Sequence, residues 1–238
     1  MPNDYFSFKQ FTVQQGNAAM KVCTDSCLFG AWVAGKLQVL QPARILDIGG
    51  GTGLLSLMLA QKSSAKIDCI EIEKNAAEQC RENFASSPWA SRLTVHETAV
   101  QDFSPEKNYG LVITNPPFFE NSLRSGDSSA NHARHDTGLT LPELFISVRA
   151  AMQPGALAAV LLPYSRKNEA SLLALTHGLF VKEEISVKQS PAHEAFRAML
   201  LFTDQPTGMM QSTMLIRDDQ NEYSPAFSAL LKDYYLYL

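Results

Sequence analysis

The chain has 238 residues, 45% hydrophobic and 18% charged, with no low-complexity tract, which fits one α/β domain with additions better than two full domains. No run of 18 apolar residues is present, and the start Met1-Pro2-Asn3-Asp4-Tyr5-Phe6 lacks the basic and apolar regions of a signal peptide, so no membrane span is expected and a cytoplasmic location is. With a net charge of −4, a nucleic-acid partner has to be held by a local basic patch rather than by the field of the whole molecule.

Residues 1–22 mix Tyr5, Phe6, Phe8 and Phe11 with Lys9 and Lys21 without a long periodicity, as in an extension laid over a core. Thr24-Asp25-Ser26 offers capping side chains ahead of the apolar run Cys27–Val33, which predicts a helix ending at Gly35. Cys23, Cys27, Cys69 and Cys80 form no C-x-x-C pair and are read as free thiols; no metal is expected. Arg44–Ile48 is a short apolar strand, followed by Gly49-Gly50-Gly51-Thr52-Gly53 and an apolar helix from Leu54. Lys66–Ile72 predicts a second strand ending in acids, with a helix over Asn75–Phe84.

Leu93–Ala99, Tyr109–Thr114 and Leu157–Leu162 predict three more strands. Between them, residues 119–138 form a polar loop rich in Ser, Gly, Asn, His and Arg, longer than the roughly 12 to 15 residues usual in compact domains, and expected to serve as a lid or substrate clamp. Phe180–Val187 and Ala195–Thr203, joined by a short link, must pair antiparallel. In the tail, residues 212–238, a strand-like Thr213–Arg217 precedes an aromatic helix through Phe227, Leu230, Leu231 and Tyr234 that packs back on the core. The pattern predicts an α/β fold: a mostly parallel seven-stranded sheet with an antiparallel final strand and helices on both faces.

Bare glycines at a strand-to-helix turn let a ligand approach the backbone closely, and a helix N-terminus favours negative charge. The dinucleotide fingerprint requires G-x-G-x-x-G/A, but the register from Gly49 and Gly51 puts Leu54 in the third place, which disfavours a nicotinamide enzyme. Asp47-x-Gly49-x-Gly51-x-Gly53 instead resembles the first motif of class I methyltransferases that use S-adenosylmethionine (SAM). That resemblance implies a Rossmann-like fold, with the loop against the methionine part of SAM, Glu71 on the ribose hydroxyls and Asp102 on the adenine amine. Glu71 carries two acceptor oxygens for a vicinal diol, while Glu73 is the better cap for the next helix. Asp102 also reads as a solvated turn residue.

Asn115-Pro116-Pro117-Phe118 follows the fourth strand, where α/β proteins place their chemistry. Each proline holds the preceding residue extended and brings no N–H, so the lip is rich in acceptors: the Asn115 side-chain oxygen and the Pro116 carbonyl, with Phe118 as an apolar face. In the SAM-dependent superfamily such a motif implies methylation of an amino nitrogen conjugated to a planar system. Two acceptors on its hydrogens localise and aim a lone pair that is otherwise delocalised, and no general base is required beforehand.

Lys9-Gln10-Phe11-Thr12-Val13, Ala19-Met20-Lys21-Val22, Thr24-Asp25-Ser26, Gly30-Ala31-Trp32, Ala133-Arg134-His135, Ile216-Arg217, Tyr223-Ser224 and Tyr235-Leu236 resemble the bacterial valine-tRNA adenine-N6 methyltransferases over nearly the whole chain. The resemblance implies that residues 1–35 cover the cofactor, with Lys21, Thr24 or Asp25 near its methionine end, ahead of a SAM-binding domain over 36–238. The implied partner is the anticodon loop of valine tRNA. Arg124, His132, Arg134 and His135 in the long loop are candidate RNA contacts, with Lys9, Lys21, Arg166, Lys167 and Arg197 elsewhere. Many members have Gly at the positions of Cys23 and Ser26, and Tyr is common at that of Phe118. The competing targets are a guanine N2 in ribosomal RNA and a release-factor glutamine, and a non-enzymatic alternative is a SAM- or RNA-binding module. The pattern leaves oligomeric state open.

Overall fold

The structure, a computed structural model, describes residues 3–16, 20–104, 109–116 and 139–238. The chain opens with a small antiparallel hairpin, β1 (Tyr5–Ser7) and β2 (Thr12–Gln14), and then helix α1 (Thr24–Leu40). The main sheet contains β3 (Arg44–Ile48), β4 (Lys66–Glu71), β5 (Leu93–Glu97), β6 (Tyr109–Thr114), β7 (Met152–Pro163), β8 (Phe180–Lys188), β9 (Ala195–Thr203) and β10 (Met210–Leu215). Their spatial order is β10-β8-β9-β7-β6-β3-β4-β5. β9 runs antiparallel to both β7 and β8, and every other pairing is parallel. All seven expected strands are present, and the tail supplies an eighth, β10, which begins at Met210 rather than Thr213.

Helices α2 (Leu54–Ala60), α3 (Lys74–Ala85), α4 (Leu141–Ala151), α5 (Lys167–Thr176) and α6 (Pro225–Leu231) cover the sheet. Alternation along the strands sends Ile45, Ile67, Cys69, Leu111 and Ile113 into a core with α1, α2, α3, α6 and the hairpin. Leu46, Ile48, Ile70 and Val112 face a second core under α4 and α5. Helix starts follow local chemistry. The Glu73 carboxylate accepts from the Asn75 and Ala76 amides at the start of α3, as expected of the better cap. Thr140 and Glu143 form a reciprocal capping box on α4, and the Ser224 hydroxyl accepts from the Phe227 amide on α6.

Helix α1 departs from expectation at both ends. Its N-cap is Cys23, with no side-chain cap, and it continues through Gly35 to Leu40, closing on Gln41 in the left-handed region at φ 40°. An interior glycine costs about 1 kcal/mol. The near-continuous burial from Ser26 to Ala34, and of Leu37, offsets that cost.

No helix among the described residues joins β5 to β6. Near that connection Asp68 accepts from Arg44 Nη2 (2.5 Å) and the Tyr109 hydroxyl (3.0 Å), and its other oxygen lies 2.9 Å from His96 Nε2. Those partners hold the Asp68 carboxyl below the usual range against the opposing effect of burial.

Candidate active site at the carboxyl edge of the sheet

The ends of β3, β4 and β6 meet at one edge, which fixes where the residues beyond each strand lie. Ile48 pairs with both Ile70 and Thr114, and the Thr114 hydroxyl donates to the Ile48 carbonyl (2.9 Å). Asn115 therefore leaves β6 beside the glycine turn. The turn is sewn to β4: the Gly49 and Gly50 amides both donate to the Ile70 carbonyl (2.8 and 3.1 Å), and the Gly51 amide donates to Glu71 Oε2 (2.8 Å). The other Glu71 oxygen accepts from the Glu73 amide (2.9 Å), and the side chain is buried. Each carboxylate oxygen retains a second lone pair directed away from these bonds.

Gly49 and Gly51 have φ of +70° and +55°, and a Cβ built on either meets nothing within 4 Å, so this side of the turn is open. The underside is closed. A Cβ at Gly50 falls 2.1 Å from Cys69 Sγ, and one at Gly53 falls 2.5 Å from Phe84 Cε1 and 2.7 Å from Cys80 Sγ. The two free thiols lie 3.7 Å apart beneath the turn.

Asp47 is fully buried one strand position before Ile48. Its Oδ2 accepts from the Ser56 amide (3.1 Å) and hydroxyl (2.7 Å), so the first turn of α2 is directed at this carboxylate rather than left for an anion. Oδ1 is buried with no partner among the described residues. Burial pushes the Asp47 carboxyl up to about 6; the Ser56 hydrogen bonds oppose that rise and the nearby Glu71 charge adds to it.

On the far side of the lip, Asn115 Nδ2 donates to Ser26 Oγ (2.9 Å) at the start of α1, and Pro116 is buried. Asp25 binds Arg197 Nε through Oδ2 (2.8 Å) and the Ser26 amide through Oδ1 (3.1 Å), so both of its oxygens are engaged within the protein. Lys21 lies 3.7 Å from Asp4, and Thr24 is exposed. None of these three N-terminal residues bonds to the glycine turn. Asp102 is exposed on a turn after β5, its amide donating to the Ala99 carbonyl (3.1 Å). Pro117, Phe118, Arg124, His132, Arg134 and His135, with the 119–138 loop, lie outside the described residues.

The other RNA-contact candidates already have partners. Lys9 Nζ donates to the Lys232 and Leu238 carbonyls, Arg166 pairs with Glu169, Lys167 with Glu184 and Arg197 with Asp25. The exposed Arg166–Glu169 pair is of the kind that contributes about 0 to 1 kcal/mol, so a phosphate competes for it at little cost, whereas Lys167–Glu184 and Arg197–Asp25 are more deeply set.

Two contributors escape a reading of spacing. Asn83, buried on α3, donates to the Thr52 carbonyl (2.9 Å) and exchanges hydrogen bonds with the Gln14 backbone, tying the glycine turn to the N-terminal hairpin. Ile72 is 61% exposed immediately after Glu71, an apolar residue at a polar edge. That mismatch between type and exposure is its only signal. A separate cavity of about 310 Å³, lined in part by Leu46, Phe103, Ile146 and Ala150, includes neither the glycine turn nor Asn115.

The strand order, the glycine turn after β3, the acid ending β4 and the Asn-Pro lip after β6 define a class I, Rossmann-like methyltransferase. Residues 31–132 match the family model described as Methyltransferase small domain. A predicted O-methyltransferase from Agrobacterium tumefaciens superposes with a TM-score of 0.66 at 17% identity, covering 88% of this chain and 96% of that one. A glycopeptide N-methyltransferase solved with S-adenosylhomocysteine gives 0.57 at 13%, covering 75% and 90%. Sequence relatives are nearer. A tRNA1(Val) (adenine(37)-N6)-methyltransferase of Cytophaga hutchinsonii is 40% identical over an alignment of 242 positions that spans the whole of both chains, and that of Parabacteroides distasonis is 38% identical over 99% of each. The chain belongs to the tRNA1(Val) (adenine(37)-N6)-methyltransferase family.

Proposed function

We propose that this enzyme transfers the methyl group of SAM to the exocyclic N6 of an adenine beside the anticodon of valine tRNA, in the cytoplasm. The observation that carries this reading is the juxtaposition of Asn115 and the open glycine turn, held together by the Ile48–Thr114 pairing.

The residues present fit SAM. Gly49 and Gly51 are open where a ligand would lie, the unpartnered Asp47 Oδ1 offers an acceptor to a cationic group, and Glu71 retains lone pairs for a vicinal diol. Ile72, exposed after Glu71, offers an apolar surface to the base, and Asp102, exposed on the turn after β5, is the acceptor assigned to its amine. Bound SAM supplies an electrophilic methyl group on sulfur. Asn115 Oδ1 and the Pro116 carbonyl accept the two N–H groups of the adenine amine, which localises the nitrogen lone pair and aims it. Phe118 is assigned by its sequence position to stack on the ring. Transfer of that methyl from sulfur would leave the adenine nitrogen cationic, and its proton would pass to water without a general base.

An adenine in a folded anticodon loop must leave its stack, at a cost of a few kcal/mol, of which stacking on Phe118 returns about 1 to 3. The remainder falls to Arg124, His132, Arg134 and His135 and to cations released from exposed ion pairs. The test is labelled SAM offered to total tRNA, ribosomal RNA and release factor, followed by nucleoside analysis. N6-methyladenosine in tRNA is expected. Label in methylguanosine or in protein overturns the choice of substrate.

A further inference from the structure

We infer that Ser26 is a positioning residue for methyl transfer, which it serves by fixing which end of the Asn115 amide faces the acceptor amine. An asparagine amide presents an acceptor at one end and two donors at the other, and only the oxygen can take a hydrogen from an amino nitrogen. A reversed amide would turn N–H toward N–H and lose the contact. In this fold Nδ2 is committed: it donates to Ser26 Oγ at 2.9 Å, leaving Oδ1 for the substrate side.

A serine hydroxyl both donates and accepts, so the contact orients the amide only if the hydroxyl proton is engaged elsewhere. Cys23 Sγ lies 3.0 Å from Ser26 Oγ, one helical turn back, within reach of either proton, and the Ser26 hydroxyl proton is assigned to that contact. Ser26 itself is 5% exposed, and its amide is bound by Asp25, whose other oxygen is clamped by Arg197 on β9. The relay Arg197–Asp25–Ser26–Asn115 thus joins the start of α1 and strand β9 to the end of β6. It gives the N-terminal helix a role in the chemistry without contact with either substrate.

The inference rests on the methyl-transfer reading of the site, and its test separates the two. Ser26→Ala and Ser26→Thr are compared with wild type for kcat on tRNA, SAM affinity by calorimetry, melting temperature and the Asn115 side-chain amide resonance in ¹⁵N spectra, assigned by its loss in Asn115→Asp. In wild type one Nδ2 proton is shifted downfield and protected from exchange, without any substrate present. Ser26→Ala abolishes that shift and lowers kcat about fivefold to tenfold, the effect of one buried hydrogen bond, with SAM affinity held and the melting temperature lowered by only a few degrees, so that the protein stays folded at the assay temperature. Ser26→Thr, which keeps the hydroxyl, retains both. An unshifted amide in wild type, an unchanged kcat in Ser26→Ala, or a loss that follows SAM affinity overturns the assignment. A wild-type protein that labels no tRNA removes the substrate reading, while the amide resonance still decides the Ser26 contact.

Discussion

The Gly51 amide donates to Glu71 Oε2 at 2.8 Å, so the residue assigned to the ribose also holds the turn assigned to the methionine end. Glu71→Ala should loosen the turn and delete the diol acceptors together, weakening SAM binding about tenfold to a hundredfold, the range for a hydrogen bond to a charged group. Glu71→Gln, which keeps one acceptor, should lose less. Calorimetry showing unchanged affinity in Glu71→Ala would remove it from the cofactor site.

Gly51 and Gly53 separate ligand space from folding space. Both have positive φ, where a side chain costs about 1 to 2 kcal/mol. At Gly51 the added methyl points into open space, and at Gly53 it collides with Phe84 and Cys80. Gly51→Ala should therefore lose SAM affinity with a modest drop in stability. Gly53→Ala should lose more stability, about 2 kcal/mol or beyond, because packing strain adds to the backbone cost. Urea unfolding beside calorimetry tests the contrast, and equal stability losses would contradict it.

Asn115→Ala should fold and bind SAM yet transfer methyl roughly a hundredfold more slowly, as expected on deleting one preorganised polar contact. Single-turnover kinetics at saturating SAM isolates that step. Near-normal turnover would sink the mechanism.

Asp47 gives a pH signature. Its folded carboxyl sits at about 6, above the ordinary aspartate range near 3.9. Below about pH 4 it is protonated in both states. Between about 4 and 6 the unfolded chain gives up the proton and the folded one keeps it, so stability falls as pH rises through that window, by about 3 kcal/mol in all, and is then flat. Asp47→Asn lacks this loss. The difference in unfolding free energy between the two proteins, measured from pH 4 to 7.5, should slope through the window; a flat difference refutes the assignment.

Strands β6 and β9 are legible at their full bounds because each is a mainly apolar run, interrupted only by Gly110 in one and Arg197 in the other, and closed by turn residues. β7 is not: it begins at Met152 and passes through Pro154 and Gly155, which read as breakers, with Gly155 at φ +76°. Hairpin strands of three residues are too short for any period to register. The same divide runs through the site. Asp47 and Glu71 lie at the carboxyl ends of β3 and β4 and Asn115 directly follows β6, so their place comes with the fold. Ser26 and Asn83 act across 89 and 69 residues of sequence, and nothing in their local spacing marks those partners.

The 2.1 Å approach of a Gly50 Cβ to Cys69 Sγ means that one volume is shared by two positions far apart in the chain. Enlarging residue 50 is sterically possible only if residue 69 shrinks, so a library that varies the turn alone will discard every substitution at 50, whereas one that pairs it with glycine or alanine at 69 opens that position to redesign.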